Sequence, residues 1–326
     1  MSNLEYYQDI YQKLLIADGH CDTILDLFKS GRSFWANEQS GHIDWPRITS
    51  SKMNLQFLAF YIEPQFKPHG ALCRVLELLA FYNKLKLEKE VTTVLSKSDL
   101  CSLKPESECR FLLAIEGGEV LESKLSTLSI LFQLGFRSLT LTWNQRNFLA
   151  DGAWENNSKG GLTQLGKQVV LEMNRLGMLI DVSHLSTAGF WDVLALTDKP
   201  IAATHSCCAA LFDHPRNLSD AQLLALKEVN GIIGINFYPD FLGDKNGGVD
   251  LVIKHLEHAA SIAGIDFVGL GSDYDGIDHT PLGLEDISKL PSIVDKLIKR
   301  GWQEEDIRKV MGGNFIRVLK EVLPNA

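Results

Sequence analysis

The stretch ADGHCDT, residues 17–23, ends an apolar run with a histidine and an aspartate, His20 and Asp22, two positions apart. Residues i and i+2 of a strand point to the same side, so both side chains can reach one point. Four more apolar runs end in the same kinds of residue, namely Glu116, His184, His205 and Asp273. Imidazole and carboxylate groups without thiolates are typical ligands of zinc, with manganese, cobalt or iron as alternatives.

These six side chains together predict a metal site for hydrolysis. One alone would carry little weight, because a histidine after a strand is usually a structural group and an aspartate there often caps the next helix. The set exceeds what one tetrahedral catalytic ion needs, so we expect two ions, which about 3.5–4 Å apart activate water and polarise a scissile carbonyl. Other histidines fall in loops or on helices, where we expect solvated positions: His42, His69, His214, His255 and His258.

Eight short apolar or alternating runs predict the strands that position these residues. They are LLIADGH, LQFLAFYI, FLLAIEG, RSLTLTW, MLIDVSH, PIAATHS, GIIGINF and DFVGLGSD. Stretches with helical spacing separate most of them, for example 71–96 and 163–176. Eightfold alternation of strand and helix predicts an α/β fold, a closed TIM-type (β/α)8 barrel. No repeat or linker divides the sequence, so we expect a single domain over residues 1–326.

The predicted connections differ in length at the two ends of the barrel. Connections from a helix to the next strand are short, whereas those from a strand to the next helix are long, as over 143–162. The long ones lie at the carboxyl ends of the strands, where barrel enzymes build their active sites. The first, over 23–50, is expected to shape specificity through Phe34, Trp35 and Trp45.

Two adjacent glycines, Gly312 and Gly313, interrupt a helical pattern over 303–323. Each costs about 1 kcal/mol relative to alanine inside a helix. We therefore expect a bend or a close packing contact at this point.

Composition excludes several classes of partner. Acidic residues outnumber basic ones, 41 to 32, and the net charge of −9 disfavours nucleic acid. No stretch approaches 18 uninterrupted apolar residues, and the N-terminus has acids and tyrosines where a signal peptide is basic and apolar. We expect a cytoplasmic protein without membrane association, whose six cysteines, lacking C-x-x-C spacing, are free thiols.

The residues at the strand ends also carry a family likeness. The chain resembles the membrane (renal-type) dipeptidases, peptidase family M19, within the metal-dependent hydrolase barrels. The matching stretches run in the order of the family from about residue 15 to about residue 320, and include DGHCDT, AIEGGEVLE, LTWNQRNFLADG, GMLIDVSHLS, PIAATHSCCAALFDHPRNLSD, GIIGINFY, GLGSDYDGI and GGNFIRVL.

The resemblance implies a centre of two zinc ions, with other divalent ions as alternatives. In it, His20 and Asp22 bind one ion, His184 and His205 bind the other, and Glu116 bridges both. Dipeptides with a free C-terminal carboxylate are the implied substrates, and a D-residue at that position is tolerated in the family. A homodimer is also expected from the family.

Three further roles come from the resemblance. Asp273, preferred to Asp275 because it comes first after the strand, would transfer the proton of the attacking water to the leaving amine. Arg216 would pair with the substrate carboxylate through its planar guanidinium, and Tyr238 would line the pocket. One departure stands out: Trp143 occupies a position where animal members have a histidine, and indole offers only an N–H donor.

Two alternatives to a dipeptidase are compatible with the same residues. The metal centre does not select the electrophile, so another amide, a lactone or a phosphoester is a possible substrate class for such a barrel. The other alternative is a barrel that keeps its metal but has lost catalysis, and Trp143 would be the sign of that loss. A requirement for Arg216 with carboxylate-bearing substrates would distinguish a dipeptidase from a lactonase.

Overall fold

The computed structural model describes residues 3–325, and parallel strands form its centre. The strands are β1 (Ala17–Asp18), β2 (Leu55–Tyr61), β3 (Thr92–Thr93), β4 (Arg110–Glu116), β5 (Phe136–Thr140), β6 (Leu179–Asp181), β7 (Ala202–Ser206), β8 (Ile232–Ile235) and β9 (Val268–Leu270). Eight of them pair in the order β2-β1-β9-β8-β7-β6-β5-β4, and β2 pairs with β4 to close the ring. The predicted (β/α)8 barrel is therefore confirmed, with β3 as a short addition beside β4.

Helices surround this ring. They are α1 (Asn3–Gln12), α2 (Thr23–Ser30), α3 (Trp45–Ser50), α4 (Ala71–Glu88), α5 (Lys97–Cys101), α6 (Leu125–Gln133), α7 (Gln164–Leu176), α8 (Thr187–Leu194), α9 (Asp220–Glu228), α10 (Pro239–Leu242), α11 (Val249–Ala263), α12 (Pro291–Lys299), α13 (Glu304–Arg308) and α14 (Asn314–Val322). The helix predicted over 71–96 ends at Glu88, because Thr92 and Thr93 are β-branched and pair with β4 instead.

A phenylalanine from α14 fills the barrel at the amino ends of the strands. Phe315 is fully buried and meets Phe57 of β2 edge-to-face, with 5.4 Å between ring centroids. Two neighbouring glycines leave room for it, since a Cβ at Gly19 or Gly269 would lie 2.5 or 2.8 Å from the Phe315 ring. Burying a side chain of this size contributes about 2–3 kcal/mol, so the ring closes one end of the barrel with apolar contacts.

The glycine pair at 312–313 both bends the last helix and permits a close contact. A π-helical turn over Lys309–Gly313 joins α13 to α14. A Cβ at Gly312 would lie 2.4 Å from the carbonyl oxygen of Leu15 and 2.8 Å from the backbone nitrogen of Ala17. The expectation of a bend or a close contact is confirmed, and it is backbone just before β1 that requires the missing side chain.

The segment over 23–50 departs from the sequence prediction. It contains α2 and α3 rather than one long loop. Phe34, Trp35 and Trp45 pack on one another at centroid distances of 4.9–6.2 Å, and Phe34 and Trp45 also contact Phe111 of β4. The expectation that these aromatic rings shape specificity is wrong, because the hydrophobic effect places them in the core rather than in the cavity at the strand ends.

Long connections do follow the carboxyl ends of the strands, and some of the helices that come after a strand begin with a side-chain cap. The connection after β5 runs to α7, where the Thr163 hydroxyl accepts a hydrogen bond from the Gly166 N–H at 3.0 Å. Ser186 caps α8 and Ser219 caps α9 in the same way. Such caps satisfy free N–H groups of the first turn, so each helix start is fixed and the preceding loop is held at both ends.

Candidate metal centre

The six side chains singled out at the strand ends converge at one mouth of the barrel. His20 and Asp22 follow β1, Glu116 ends β4, His184 follows β6, His205 lies in β7 and Asp273 follows β9. All of them are buried except Asp273, whose side chain is 15% exposed. Parallel strands bring their carboxyl ends together, which is why residues so far apart in sequence meet here.

Two of the histidines point at each other. The Nε2 atoms of His184 and His205 are 2.8 Å apart, and the Oε1 atom of Glu116 lies 2.9 Å from the first and 3.5 Å from the second. Burial lowers the pKa of both imidazoles well below the usual value, and the charge of Arg216 adds to this effect. Two neutral rings and a carboxylate thus face one point.

The outer nitrogens of these two rings are held by polar partners. Nδ1 of His184 lies 2.7 Å from the amide oxygen of Asn144. The Thr204 hydroxyl donates its hydrogen to Asp181 at 2.6 Å. Toward His205, 2.8 Å away, it must therefore act as the acceptor, so the hydrogen lies on Nδ1 of that ring. With the proton on Nδ1 in each ring, both Nε2 atoms present lone pairs to each other, and a bound cation would remove the repulsion.

The third histidine completes a second group. Nε2 of His20 lies 3.4 Å from Asp22, 3.7 Å from Glu116 and 3.8 Å from Asp273. Within residues 3–325, neither this nitrogen nor the Oδ1 atom of Asp22 has a hydrogen-bond partner, although both are buried. Buried polar atoms without partners are costly, so the donor set fits a bound metal ion.

Asp22 takes the position of a helix cap without acting as one. It precedes α2, but its side chain accepts no capping hydrogen bond. A Cβ at Gly276 would lie 2.1 Å from the Oδ2 atom of Asp22 and 2.7 Å from Oδ1 of Asp273. Only glycine allows the chain after β9 to approach these carboxylates so closely.

The carboxylates at this mouth repel one another. Burial raises the pKa of Asp22 to about 7 and also raises the pKa of Asp273, and the charge of Glu116 adds to both effects. Burial acts on Glu116 as well, but the charge of His20 opposes it most strongly, and the pKa of Glu116 is lowered to about 2. Three acidic groups in one buried place favour divalent cations, which would stabilise all of them as anions.

The two aspartates after β9 have different surroundings. The Oδ2 atom of Asp273 accepts a hydrogen bond from the Asn236 amide at 2.9 Å, and its Oδ1 faces His20. Asp275 instead accepts hydrogen bonds from Thr23 at 2.7 Å and Arg32 at 3.1 Å. Asp275 therefore joins the loop after α2 to the loop after β9, and Asp273 is the one that faces the cluster.

A cavity of about 560 Å³ opens above the cluster. Arg216 lines it and is almost fully buried, with Nη2 donating to the His205 carbonyl at 2.9 Å and Nη1 to Ser206 at 3.4 Å. Its Nε atom has no partner among the described residues. Tyr238 also lines the cavity, beside Phe241 at 5.0 Å between centroids. The cavity thus combines a buried cation with an apolar ring.

The model of the membrane dipeptidase family (peptidase family M19) matches residues 4–326. The chain belongs to this family. Dipeptidase aclJ of Aspergillus oryzae is 32% identical over 97% of this chain and 80% of its own length, and dipeptidase tcpJ of Claviceps purpurea is 33% identical over 87% and 70%. A metallopeptidase of Rhodobacter sphaeroides, liganded with a phosphinate mimic of the dipeptide L-Ala-D-Ala, superposes with a TM-score of 0.89 at 27% identity, covering 95% of this chain and 99% of that one.

Membership of the dipeptidase family makes this protein a hydrolase that acts on peptide bonds and depends on metal. Among residues 3–325, no helix combines the length and the apolar character that crossing a bilayer requires.

Trp143, the departure from the animal dipeptidases, lines the cavity beside the cluster. Its ring centroid lies 5.9 Å from that of His184, 5.4 Å from Tyr61 and 5.3 Å from Trp154. An indole at this place extends an aromatic surface rather than adding an acid–base group.

Sequence reasoning missed the polar residues that hold the candidate ligands of this dipeptidase. In sequence they resemble any other polar residue near a strand end; they are Asn144, Asp181, Thr204 and Asn236. The expectation of solvated histidines holds for the exposed His69, whereas His42, His214 and His258 are half-buried. It is wrong for His255, which is buried and whose Nδ1 accepts a hydrogen bond from the Cys208 N–H at 3.1 Å. Its helix packs that face against the segment after β7, which helical spacing alone does not reveal.

Proposed function

We propose that this protein is a dinuclear zinc dipeptidase that cleaves short peptides with a free C-terminal carboxylate. The position of Glu116 carries the proposal. Its Oε1 atom faces His184 and His205, and its Oε2 atom faces His20 at 3.7 Å. One carboxylate whose two oxygens face different imidazoles is the arrangement that two ions would share.

In this assignment His20 and Asp22 would hold one ion, His184 and His205 would hold the other, and Glu116 would bind both. Zinc suits imidazole and carboxylate ligands best, and other divalent ions fit the same set. When bound, such ions polarise the scissile carbonyl and lower the pKa of water. Because burial and Arg216 keep His184 and His205 neutral, both rings are already in the form that binds metal.

Asp273 is the residue to which we assign proton transfer. Its carboxylate lies at the cavity wall beside the cluster, and the Asn236 amide occupies one of its two oxygens. The oxygen of water attacks the carbonyl carbon, the carbon–nitrogen bond breaks, and Asp273 passes the proton of that water to the leaving amine. Both Asp273 and His184 have positive φ angles of 64°, a conformation that non-glycine residues adopt where the surroundings impose it.

Arg216 is assigned to the substrate carboxylate. Nη2 and Nη1 already donate to the barrel wall, which fixes the plane of the guanidinium, and the group keeps further donors for a ligand. Tyr238, with its side chain at the same side of the cavity, would pack against the C-terminal residue. The mimic of L-Ala-D-Ala bound by the Rhodobacter enzyme supports acceptance of a D-residue there.

The test is hydrolysis of matched dipeptides after removal of metal and reconstitution with zinc. The panel contains Ala-Ala with an L- or a D-residue at the C-terminus, and the C-terminal amide of each. We expect zinc-dependent cleavage of both acids, weak or no cleavage of the amides, and two zinc ions per chain by elemental analysis. The Arg216→Met variant should lose about 100-fold in kcat/KM for the acids and little for the amides, because only the acids lose a charged contact.

Two results would contradict the assignment. Equal cleavage of acids and amides would remove the role of Arg216 and favour another amide as substrate. Two bound zinc ions without cleavage of any dipeptide would favour a barrel that has lost catalysis, and Trp143→His would then be the first variant to examine. A cytoplasmic location and a homodimer remain predictions.

A further inference from the structure

Three aromatic side chains form one side of the cavity, and we call Tyr61, Trp143 and Trp154 the aromatic wall. Trp143 is in the middle, with its ring 5.4 Å from Tyr61 and 5.3 Å from Trp154. Trp154 stands at the outer end and is 59% exposed. A large aromatic surface that stays open to solvent beside a catalytic cluster is suited to packing against a ligand.

The aromatic wall lies across the barrel mouth from Arg216. In the ring of strands, Tyr61 ends β2 and Trp143 and Trp154 follow β5, whereas Arg216 follows β7 and Tyr238 follows β8. Strands β2, β4 and β5 occupy one arc of the eight-stranded ring, and β7 and β8 occupy the opposite one. The metal-ligand cluster lies between the two sides of the cavity.

We propose that the aromatic wall receives the side chain of the N-terminal residue of the substrate and selects apolar over basic side chains. This inference rests on the proposed function, since it takes Arg216 as the site of the C-terminal carboxylate. A dipeptide with its carboxylate at Arg216 and its peptide carbonyl above the cluster has only its N-terminal residue left to place. That residue then extends toward the wall.

Lys67 bears on the discrimination against basic side chains although it lies outside the lining of this cavity, in a neighbouring one that Glu119 also lines. Its ammonium lies 5.2 Å from the Tyr61 ring centroid and 5.3 Å from that of Trp143, and 3.5 Å from a Glu119 oxygen. The side chain is only 10% exposed, so this cation stays close to both rings. Because the two rings already interact with one cation, a positive charge on the substrate gains less from them than an apolar side chain does.

The experiment compares kcat/KM for Phe-Ala, Leu-Ala, Gly-Ala and Lys-Ala with the zinc-loaded enzyme. We expect Phe-Ala and Leu-Ala to exceed Gly-Ala by about tenfold, and Lys-Ala to fall below Leu-Ala by a similar factor. Trp154→Ala should lower kcat/KM for Phe-Ala about fivefold more than for Gly-Ala. Trp154 is chosen because more than half of it is exposed, so that its removal costs the fold little. Lys67→Met should raise Lys-Ala relative to Leu-Ala two- to threefold.

Trp191→Ala is the matched control. Trp191 is also a partly exposed tryptophan, 42% exposed on α8, but it lies outside the cavity. It should leave the ratio of Phe-Ala to Gly-Ala unchanged.

The reversed series, Ala-Phe against Ala-Gly, tests the direction in which the substrate lies. An effect of Trp154→Ala on this series rather than on the first would overturn the inference, because the wall would then face the C-terminal residue. Equal kcat/KM for all N-terminal residues would overturn it too, while the proposed dipeptidase activity would stand. If the zinc-loaded enzyme cleaves no dipeptide, the proposed function fails and the inference fails with it.

Discussion

Asn236 offers a quantitative test of how the proposed proton-transfer residue is held. Its side chain is fully buried directly after β8, its amide nitrogen donates to the Oδ2 atom of Asp273 at 2.9 Å, and its oxygen accepts from the Tyr238 N–H at 2.6 Å. Asn236→Ala would leave one oxygen of Asp273 without this partner, so the carboxylate would no longer be fixed with Oδ1 toward His20.

The magnitude follows from the kind of bond that is lost. A hydrogen bond to a charged group contributes about 1.5–3 kcal/mol, which corresponds to about a 10- to 150-fold decrease in kcat if the whole loss appears in the transition state. We expect KM to change less than about threefold, because Arg216 and its contacts to the barrel wall are retained.

The assay is steady-state hydrolysis of an unmodified dipeptide by Asn236→Ala, Asp273→Asn and the double variant, each with its zinc content measured. If Asn236 acts through Asp273, the double variant should be no slower than Asp273→Asn alone, since residues that act as a unit are not additive. Full multiplication of the two effects, or an unchanged kcat in Asn236→Ala, would refute the reasoning.

Asn54 provides a control for loss of stability alone. It is equally buried, but at the opposite end of the barrel, where its oxygen accepts from the Ile16 N–H at 2.9 Å and its nitrogen donates to the carbonyl of Ser107 at 3.0 Å. Asn54→Ala should lower the melting temperature and leave kcat at 25 °C within about twofold, because its partners lie far from the cluster.

Three other predictions concern stability. Glu63 accepts two hydrogen bonds from Arg74, at 2.7 and 2.9 Å, and they lower its pKa against the opposing effect of burial. Glu63→Gln should therefore be less stable than the parent at pH 7 in urea unfolding, and the difference should shrink as the pH falls below the unfolded value of about 4.3 and vanish once the pH has passed through the lowered pKa of the folded protein. Gly312→Ala should destabilise the protein by more than about 2 kcal/mol in urea unfolding, because the new Cβ would lie 2.4 Å from the Leu15 carbonyl oxygen. Gly313→Ala is the control: its Cβ would meet nothing closer than 3.1 Å, so the free energy of unfolding should change by no more than about 1 kcal/mol. Removal of metal by a chelator should lower the melting temperature by about 5–10 °C in calorimetry, because an ion whose free concentration is about 1,000 times its Kd stabilises the native state by about 4 kcal/mol. An unchanged melting temperature would argue against a bound ion.

The barrel was predictable from the sequence because a buried parallel strand leaves a simple trace. Runs such as FLLAIEG and GIIGINF are apolar up to Glu116 and Asn236, and each lies where the structure has β4 or β8. His20, Glu116 and His205 could be singled out for the same reason, since a charged or imidazole side chain at the end of such a run has no place in the core.

Contacts between distant segments could not be read in this way. The Asn236 amide that holds Asp273, and the Arg32 guanidinium that meets Asp275, come from loops whose paths depend on the whole ring of strands. The predictions for Trp35 and His255 were wrong for a related reason. Residue type and spacing indicate that a residue lies in a loop or on a helix, but they do not show which neighbouring segment covers its side chain.

The shortest strand of the barrel, β1, is held in place by residues near the other end of the chain. β1 has two residues, and Asp18 accepts a hydrogen bond from the Ser272 N–H, 254 positions later. The backbone just before β1 packs on Gly312 near the other end of the chain. The strand that precedes His20 and Asp22 is therefore held by residues that leave the ribosome near the end of synthesis. Under the proposed assignment, the ligands of one ion would be in place only in the finished chain, and metal would be acquired after synthesis.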